Sequence, residues 1–125
     1  MLKTWQWPAA GRVGRGFSSV GSVHKGIDIL GKLGEPVHAA NNGIVVYAGS
    51  GLVGYGNLLI VKHNAQYLSA YANNSALLVH EGERVRAGQV IAKIGDTGTD
   101  HYKLHFEIRF EGKPQDPLKL LPPRK

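Results

Sequence analysis

The ten residues His101 to Phe110, HYKLHFEIRF, decide the fold class. Leu104, Phe106, Ile108 and Phe110 alternate with Lys103, His105, Glu107 and Arg109. Side chains of a β-strand point to opposite faces in turn, so a period of two puts the apolar four on one face and the polar four on the other. The polar face carries the question. An imidazole between a lysine and a glutamate, with an arginine beyond, admits three readings. It is a metal ligand, part of a catalytic site, or a residue of a solvated sheet face on which Glu107 and Arg109 pair.

Short apolar runs and tight turns continue in both directions from this strand. Residues 1–25 are rich in Gly and Ser, with one short strand expected near Gly11 to Phe17. KGIDIL follows, then a turn in GKLGEP. VHAANNGIVVYAG reads as two strands about Asn42-Gly43, a dipeptide that favours hairpins. LLIVKH and YLSAY read as strands joined by a turn at Asn64 to Gln66. NNSALLV reads as a turn entering a short strand or one helical turn. EGERVRAGQVIAKIGDTG gives two more strands bounded by glycines, and the prolines of LKLLPPRK stop regular structure there. No segment shows an amphipathic helical pattern of about 12 residues. The expectation is a mostly β protein: a single-domain antiparallel sheet or sandwich occupying residues 1–125, with its core between about residues 7 and 122. The glycines of VGYGN fit neither the Walker nor the dinucleotide pattern and read as a flexible turn.

Composition narrows the partners. Hydrophobic residues make up 42% of the chain, enough for a real core and against intrinsic disorder. The net charge of +6 serves solubility or an anionic partner such as an acidic cell surface. The cations are spread out with no run of five or six, so nucleic acid is not the expected partner. There is no cysteine, which excludes disulfides and thiol catalysis. No apolar run approaches the roughly 20 residues of a membrane span, and no signal-peptide pattern opens at Met1.

An internal echo relates GEPVHAA (Gly34 to Ala40) to GERVRAG (Gly82 to Gly88), 48 residues apart. A true duplication would give two related β-hairpin units packed together, as in a barrel-sandwich hybrid, each glycine supplying a turn and each valine a core contact. The echo also pairs His38 with Arg86, which marks an exposed position. Of the six histidines, His63 and His80 end strands or precede turns and read as surface residues. His24 and Asp28 differ. HKGID sets an imidazole and a carboxylate four apart around a glycine that permits a tight backbone path. Both groups are zinc ligands at about 2.0–2.2 Å, and a catalytic zinc takes three protein ligands plus a water. His105 is the best third candidate.

Several segments together resemble the LytM (lysostaphin-like) zinc peptidase family: HKGIDI, GYGN with the V-x-H that follows, Y-x-x-A-Y-A, the V-x-A-G-x-x-I-A-x-I-G-x-T-G run, and LHFEIR. The resemblance covers nearly the whole chain, from about Trp7 to Pro122. Within the family it is nearest to the NlpD-type subgroup of murein amidase activators, through GYGNLLIVKHNAQYLSAYANN and LHFEIRFEGKPQDPLKLLP. The resemblance implies three zinc ligands at His24, Asp28 and His105. It also implies two catalytic histidines, which are replaced here by Asn73 and Lys103. Amide hydrolysis by a zinc-bound water needs a group that takes and delivers protons, and losing one such group costs about 10²–10⁴-fold. Asn73 cannot titrate. His101, as a substitute, would lie about 13 Å from His105 along an extended strand. Three good ligands favour bound zinc and Lys103 opposes it, so zinc stays open.

The resemblance therefore implies a catalytically degenerate domain that binds and activates a murein N-acetylmuramyl-L-alanine amidase during cell-wall remodelling and daughter-cell separation. Its old substrate groove, with Tyr55, Asn57, Asn73, Lys103 and His105, would be the docking surface. The alternatives are a surviving zinc endopeptidase that cuts peptidoglycan cross-links, or a plain peptidoglycan-binding module. The setting implied is the periplasm, as the C-terminal domain of a longer, outer-membrane-anchored lipoprotein. A monomer that does not itself insert into the membrane satisfies all of these.

Overall fold

The computed structural model describes residue 2 and residues 4–124. Its strands are β1 (Val13–Arg15), β2 (Ile27–Leu30), β3 (Pro36–His38), β4 (Gly43–Gly49), β5 (Asn57–Lys62), β6 (Tyr67–Leu77), β7 (Arg84–Val85), β8 (Val90–Ile94), β9 (Lys103–Phe110) and β10 (Lys113–Gln115), followed by a 3₁₀ turn at Pro117–Lys119. Among the described residues there is no α-helix. The fold is an open antiparallel sheet ordered β1-β2-β9-β6-β5-β4-β7, with β10 on β9, and β3 joined through β8 to the far end of β6.

The alternation read in β9 is borne out. Leu104, Phe106 and Ile108 are fully buried on one face, with Ile27, Ile29, Tyr71, Leu59 and Val61 from its neighbours. Val37, Ile91, Ile94, Trp5 and Leu121 close over them to complete one core. The opposite face carries the polar residues of β9 and a smaller cluster of Leu58, Ala70 and Ala72, covered by Tyr47, Tyr55 and Ile60.

The two Gly-Glu turns of the echo are built alike. Glu35 N–H donates to Lys32 O while its carboxylate accepts from Lys32 N–H. Glu83 repeats both bonds with His80. Gly34 and Gly82 both take a positive φ, at 85° and 91°, and Val37 and Val85 both enter the core. The units also meet, through Gly88 N–H to Ala39 O and Ala39 N–H to Gln89 O.

Two local expectations are corrected. Asn42-Gly43 does not close a hairpin: β3 pairs with β8, whereas β4 pairs with β5 and β7. The dipeptide instead leads the chain from β3, beside β8, to β4, between β5 and β7. Gly43 is needed there because a Cβ would sit 2.5 Å from Lys62 O. NNSALLV enters a strand, as read, but not through a turn: Asn73–Leu77 continues β6, which changes partners after Asn73, from β9 to β8. Asn73 adopts φ 68° at the changeover, a left-handed conformation that asparagine tolerates better than most residues.

Candidate functional site

Register builds the site. β2 lies antiparallel to β9 with Asp28 opposite His105 and Leu30 opposite Lys103. His24 is delivered by an isolated bridge to Ser18, closed by two backbone hydrogen bonds of 3.0 and 2.9 Å. Between His24 and Asp28, a Cβ on Gly26 would stand 2.1 Å from Phe106 O. The glycine of HKGID is therefore there for close approach to β9, which brings both flanking side chains over that strand.

Ligand atoms of His24, Asp28 and His105 all lie within 4.8 Å of one another. His24 Nδ1 is 2.9 Å from Gly16 O. A carbonyl only accepts, so Nδ1 carries the proton and Nε2 turns toward Asp28 Oδ1, 3.2 Å away. His105 Nδ1 is 2.7 Å from the same Oδ1. Its Nε2 is 2.8 Å from Glu107 Oε2. Glu107, 1% exposed, also accepts from Tyr55 OH at 2.9 Å and from Arg109 Nε at 2.9 Å. Lys103 Nζ sits 2.8 Å from the second oxygen of Asp28, Oδ2.

These contacts set the electrostatics. Burial pushes the Asp28 carboxyl up, but the bonds from His105 and Lys103 outweigh it and hold the group well below the usual carboxylate range. Burial pushes His105 down, yet the carboxylates of Asp28 and Glu107 on its two nitrogens raise it overall. Glu107 is lowered for the reciprocal reason, against its own burial, by His105 and Arg109. Both buried carboxylates are thus balanced by side chains of the protein itself.

The donor set also fits a zinc ion. Two imidazoles and a carboxylate converge, in the number a catalytic zinc takes. His24 Nε2 is held toward the centre by the Gly16 carbonyl behind its ring, and His105 Nδ1 by Glu107 behind its own. Zinc there would supply a Lewis acid and an activated water. Lys103 contacts the outer oxygen of Asp28 and leaves Oδ1 facing the two histidines.

His24, Tyr55, Asn73, Lys103 and His105 border one hollow of about 310 Å³. Asn73 is 2% exposed, and its amide donates to Thr97 O at 2.7 Å and Tyr55 O at 3.3 Å. It ties together two loops that wall the hollow. Asn57 stands apart from this hollow. Its backbone N–H donates to Thr97 Oγ1 at 3.0 Å and its side chain to Asn74 O at 3.0 Å. His101 is exposed and paired with Asp100 at 2.7 Å. His63 stands at the end of β5, as read, but it is half-buried and its ring nitrogens are held by Asn42 O and Ser69 Oγ. Sequence reasoning missed the part played by Glu107. Alternation placed it on a polar face, and the loop bearing Tyr55 then buries that face.

Both the sequence and the fold are shared with known proteins. Residues 22–117, which include all three candidate ligands, match the model of peptidase family M23. The chain belongs to this family. It is 62% identical over 120 residues to a lipoprotein NlpD/LppB homolog of Pseudomonas aeruginosa, covering 96% of this chain and 40% of that protein. It is 52% identical over 123 residues to the murein hydrolase activator NlpD of Escherichia coli, covering 98% of this chain and 32% of that protein. The chain thus spans two fifths or less of these relatives. Among solved structures, a zinc-containing peptidase from Vibrio cholerae superposes with TM-score 0.87 at 30% identity, over 97% of this chain and 41% of that one. The catalytic domain of lysostaphin from Staphylococcus simulans superposes with TM-score 0.79 at 28% identity, over 87% of this chain and 90% of that one. The fold is that of the LytM-like peptidases. Among the described residues, no helix is long and apolar enough to cross a membrane.

Proposed function

We propose that this M23 domain does not hydrolyse peptidoglycan itself but binds and activates a murein hydrolase of the N-acetylmuramyl-L-alanine amidase class. The observation that carries this reading is the fate of the two positions where active relatives are expected to hold catalytic histidines. Lys103 is spent on Asp28, and the Asn73 amide is spent on loop carbonyls. Neither side chain is placed to pass a proton to a scissile amide. The relatives named as murein hydrolase activators support the same reading.

The rim of the hollow suits a protein partner. Val53 is 99% exposed and Val23 58%, so aliphatic groups border a charged floor. Apolar residues exposed around a hollow mark interaction surfaces more often than solvated ones. Tyr55, Asn73, Lys103 and His105 form the docking surface, and His24, Asp28 and His105 are the residues that would hold zinc. The chain acts as one domain of a longer envelope protein on the periplasmic side of the outer membrane, in keeping with the lipoprotein names of its relatives.

Dye release from labelled sacculi tests this with three samples: the domain alone, a murein amidase alone, and both together. Release only above the amidase baseline in the mixture is expected. A second reading, a zinc endopeptidase, is favoured by the convergence of His24, Asp28 and His105. Chelator-sensitive release by the domain alone would establish it and overturn the first.

A further inference from the structure

The open sheet face continues beyond the hollow. Arg109 on β9 stands opposite Leu68 on β6, Leu68 opposite Lys62 on β5, Lys62 opposite Ile44 on β4, and Ile44 opposite Arg84 on β7. Directly opposed residues of antiparallel strands share a face. Five strands thus contribute one residue each to a single row in which cation and aliphatic alternate. Neighbouring strands lie about 4.8 Å apart, so the row is about 19 Å long and its cations recur about every 10 Å.

The row is open to a partner. Lys62, Ile44 and Arg84 are exposed, and Leu68 and Arg109 are half-buried. Arg109 is paired with Glu107. Among the described residues, Lys62 and Arg84 have no carboxylate within ion-pair distance. Glu83, the acid beside Arg84 in the chain, is held by His80 at 3.0 Å. At the Arg84 end, Val46 and Arg86 widen the row into a hollow of about 630 Å³ with no acidic residue in its lining.

Solubility alone does not call for this pattern. A solvated sheet face takes polar residues throughout, whereas Leu68 and Ile44 interrupt the cations with aliphatic surface. The spacing keeps like charges about a Debye length apart at physiological salt, so the row tolerates its own repulsion while presenting a positive field.

We propose that this row docks an acidic segment of the hydrolase partner, with carboxylates about 10 Å apart and aliphatic side chains between them. The inference rests on the activator reading and extends the contact from the hollow across the sheet. A protein segment fits better than a glycan strand, because Leu68 and Ile44 call for aliphatic side chains, whereas a sugar chain offers only ring C–H faces and N-acetyl methyls.

The test is biolayer interferometry of the 125-residue chain on an immobilised murein amidase. Binding is measured at about 50 and about 300 mM NaCl, which bracket the physiological Debye length. Two double variants are compared with the wild type, Lys62→Glu with Arg84→Glu, and the milder Lys62→Gln with Arg84→Gln. Pelleting with sacculi runs in parallel, and circular dichroism checks folding. The charge reversal is expected to weaken amidase binding at least tenfold at low salt, the neutralised pair by less, and both are expected to flatten the salt dependence. Affinity within twofold of wild type in the folded reversal variant overturns the proposal. So does loss of sacculus binding with amidase affinity unchanged, which assigns the row to the cell wall. If the wild type itself does not bind the amidase, the activator reading falls and takes this inference with it.

Discussion

The two faces of β9 hold the same sheet together by opposite means. On one, Leu104, Phe106 and Ile108 are completely buried against other hydrocarbon. On the other, Lys103, His105, Glu107 and Arg109 are tied to Asp28, to Tyr55 and to one another by bonds of 2.7–2.9 Å. The apolar face gains from each group independently. The polar face repays its desolvation only while every partner stays in place. A contact-by-contact reading thus suits the first face, and only a network reading suits the second.

The largest effect belongs to the apolar face. Phe106→Ala should cost about 3–5 kcal/mol, from lost burial plus a cavity that the surrounding strands cannot close. Thermal melting checks it, and a loss under about 1 kcal/mol would show that the core repacks freely. Next comes Glu107→Leu. It conserves bulk but strips Tyr55, Arg109 and His105 of their shared acceptor, and should cost about 2–4 kcal/mol. If that variant melts with the wild type, the polar face is an ordinary solvated one and the comparison fails.

The apolar face was legible from sequence because alternation is a local property. One stretch of ten letters, eight of them in β9, was enough to assign Leu104, Phe106 and Ile108. The polar face was legible only in its members. His24, Asp28 and His105 were singled out from HKGID and LHFEIR, and the structure brings them together. What sequence could not supply was depth. Glu107 becomes buried only because the loop carrying Tyr55, 52 residues away in the chain, folds over it. Asn57 read as a groove residue because it ends the same loop, yet its side chain bonds to Asn74 O and is used in holding strands together. The Asn42-Gly43 hairpin failed for a related reason. Turn chemistry is local, but the partner of β3 is chosen by packing against β8.

Asn73 sharpens the comparison, since the polar face there depends on an unusual backbone. Asn73→Ala removes the amide bonded to Thr97 O and places a Cβ-bearing residue with no compensating bond at φ 68°. The expected cost is about 1–3 kcal/mol. Asn73→Gly should recover the backbone part, about 1 kcal/mol. Equal losses in the two variants would mean that the left-handed turn carries no strain.

A smaller effect is expected from Lys103→His. It removes the cation from Asp28 Oδ2 and adds an imidazole two residues before His105. Zinc affinity should rise tenfold or more, about 1.4 kcal/mol, read by competition with a chromophoric chelator. Adding Asn73→His should give little further gain and lower the melting temperature, because it sacrifices the loop tie. Unchanged affinity in both variants would count against the placement of the metal ligands.

The smallest effect comes from a buried polar chain on the core side of the same sheet. Ser69 Oγ lies 2.7 Å from both His63 Nε2 and Tyr71 Oη, and Tyr71 Oη also accepts from Ala40 N–H at 2.8 Å. His63 Nδ1 donates to Asn42 O at 2.6 Å. With a neutral ring, both hydroxyl protons can run toward Nε2 and every group is satisfied. A proton on Nε2 would reverse the chain and leave the Tyr71 hydroxyl without an acceptor among the described residues. Burial, only partly offset by the Asn42 carbonyl, likewise lowers His63 below its ordinary value of 6.5. The folded state therefore binds fewer protons than the unfolded state just below that pH. The contribution to stability is complete above about 6.5 and is lost as the pH falls toward the folded value. Melting temperatures of the wild type and His63→Gln, taken between pH 8 and pH 5, should converge as the solution is acidified. Parallel curves would mean that His63 keeps its ordinary proton affinity inside the fold and that the core side, too, accepts charge.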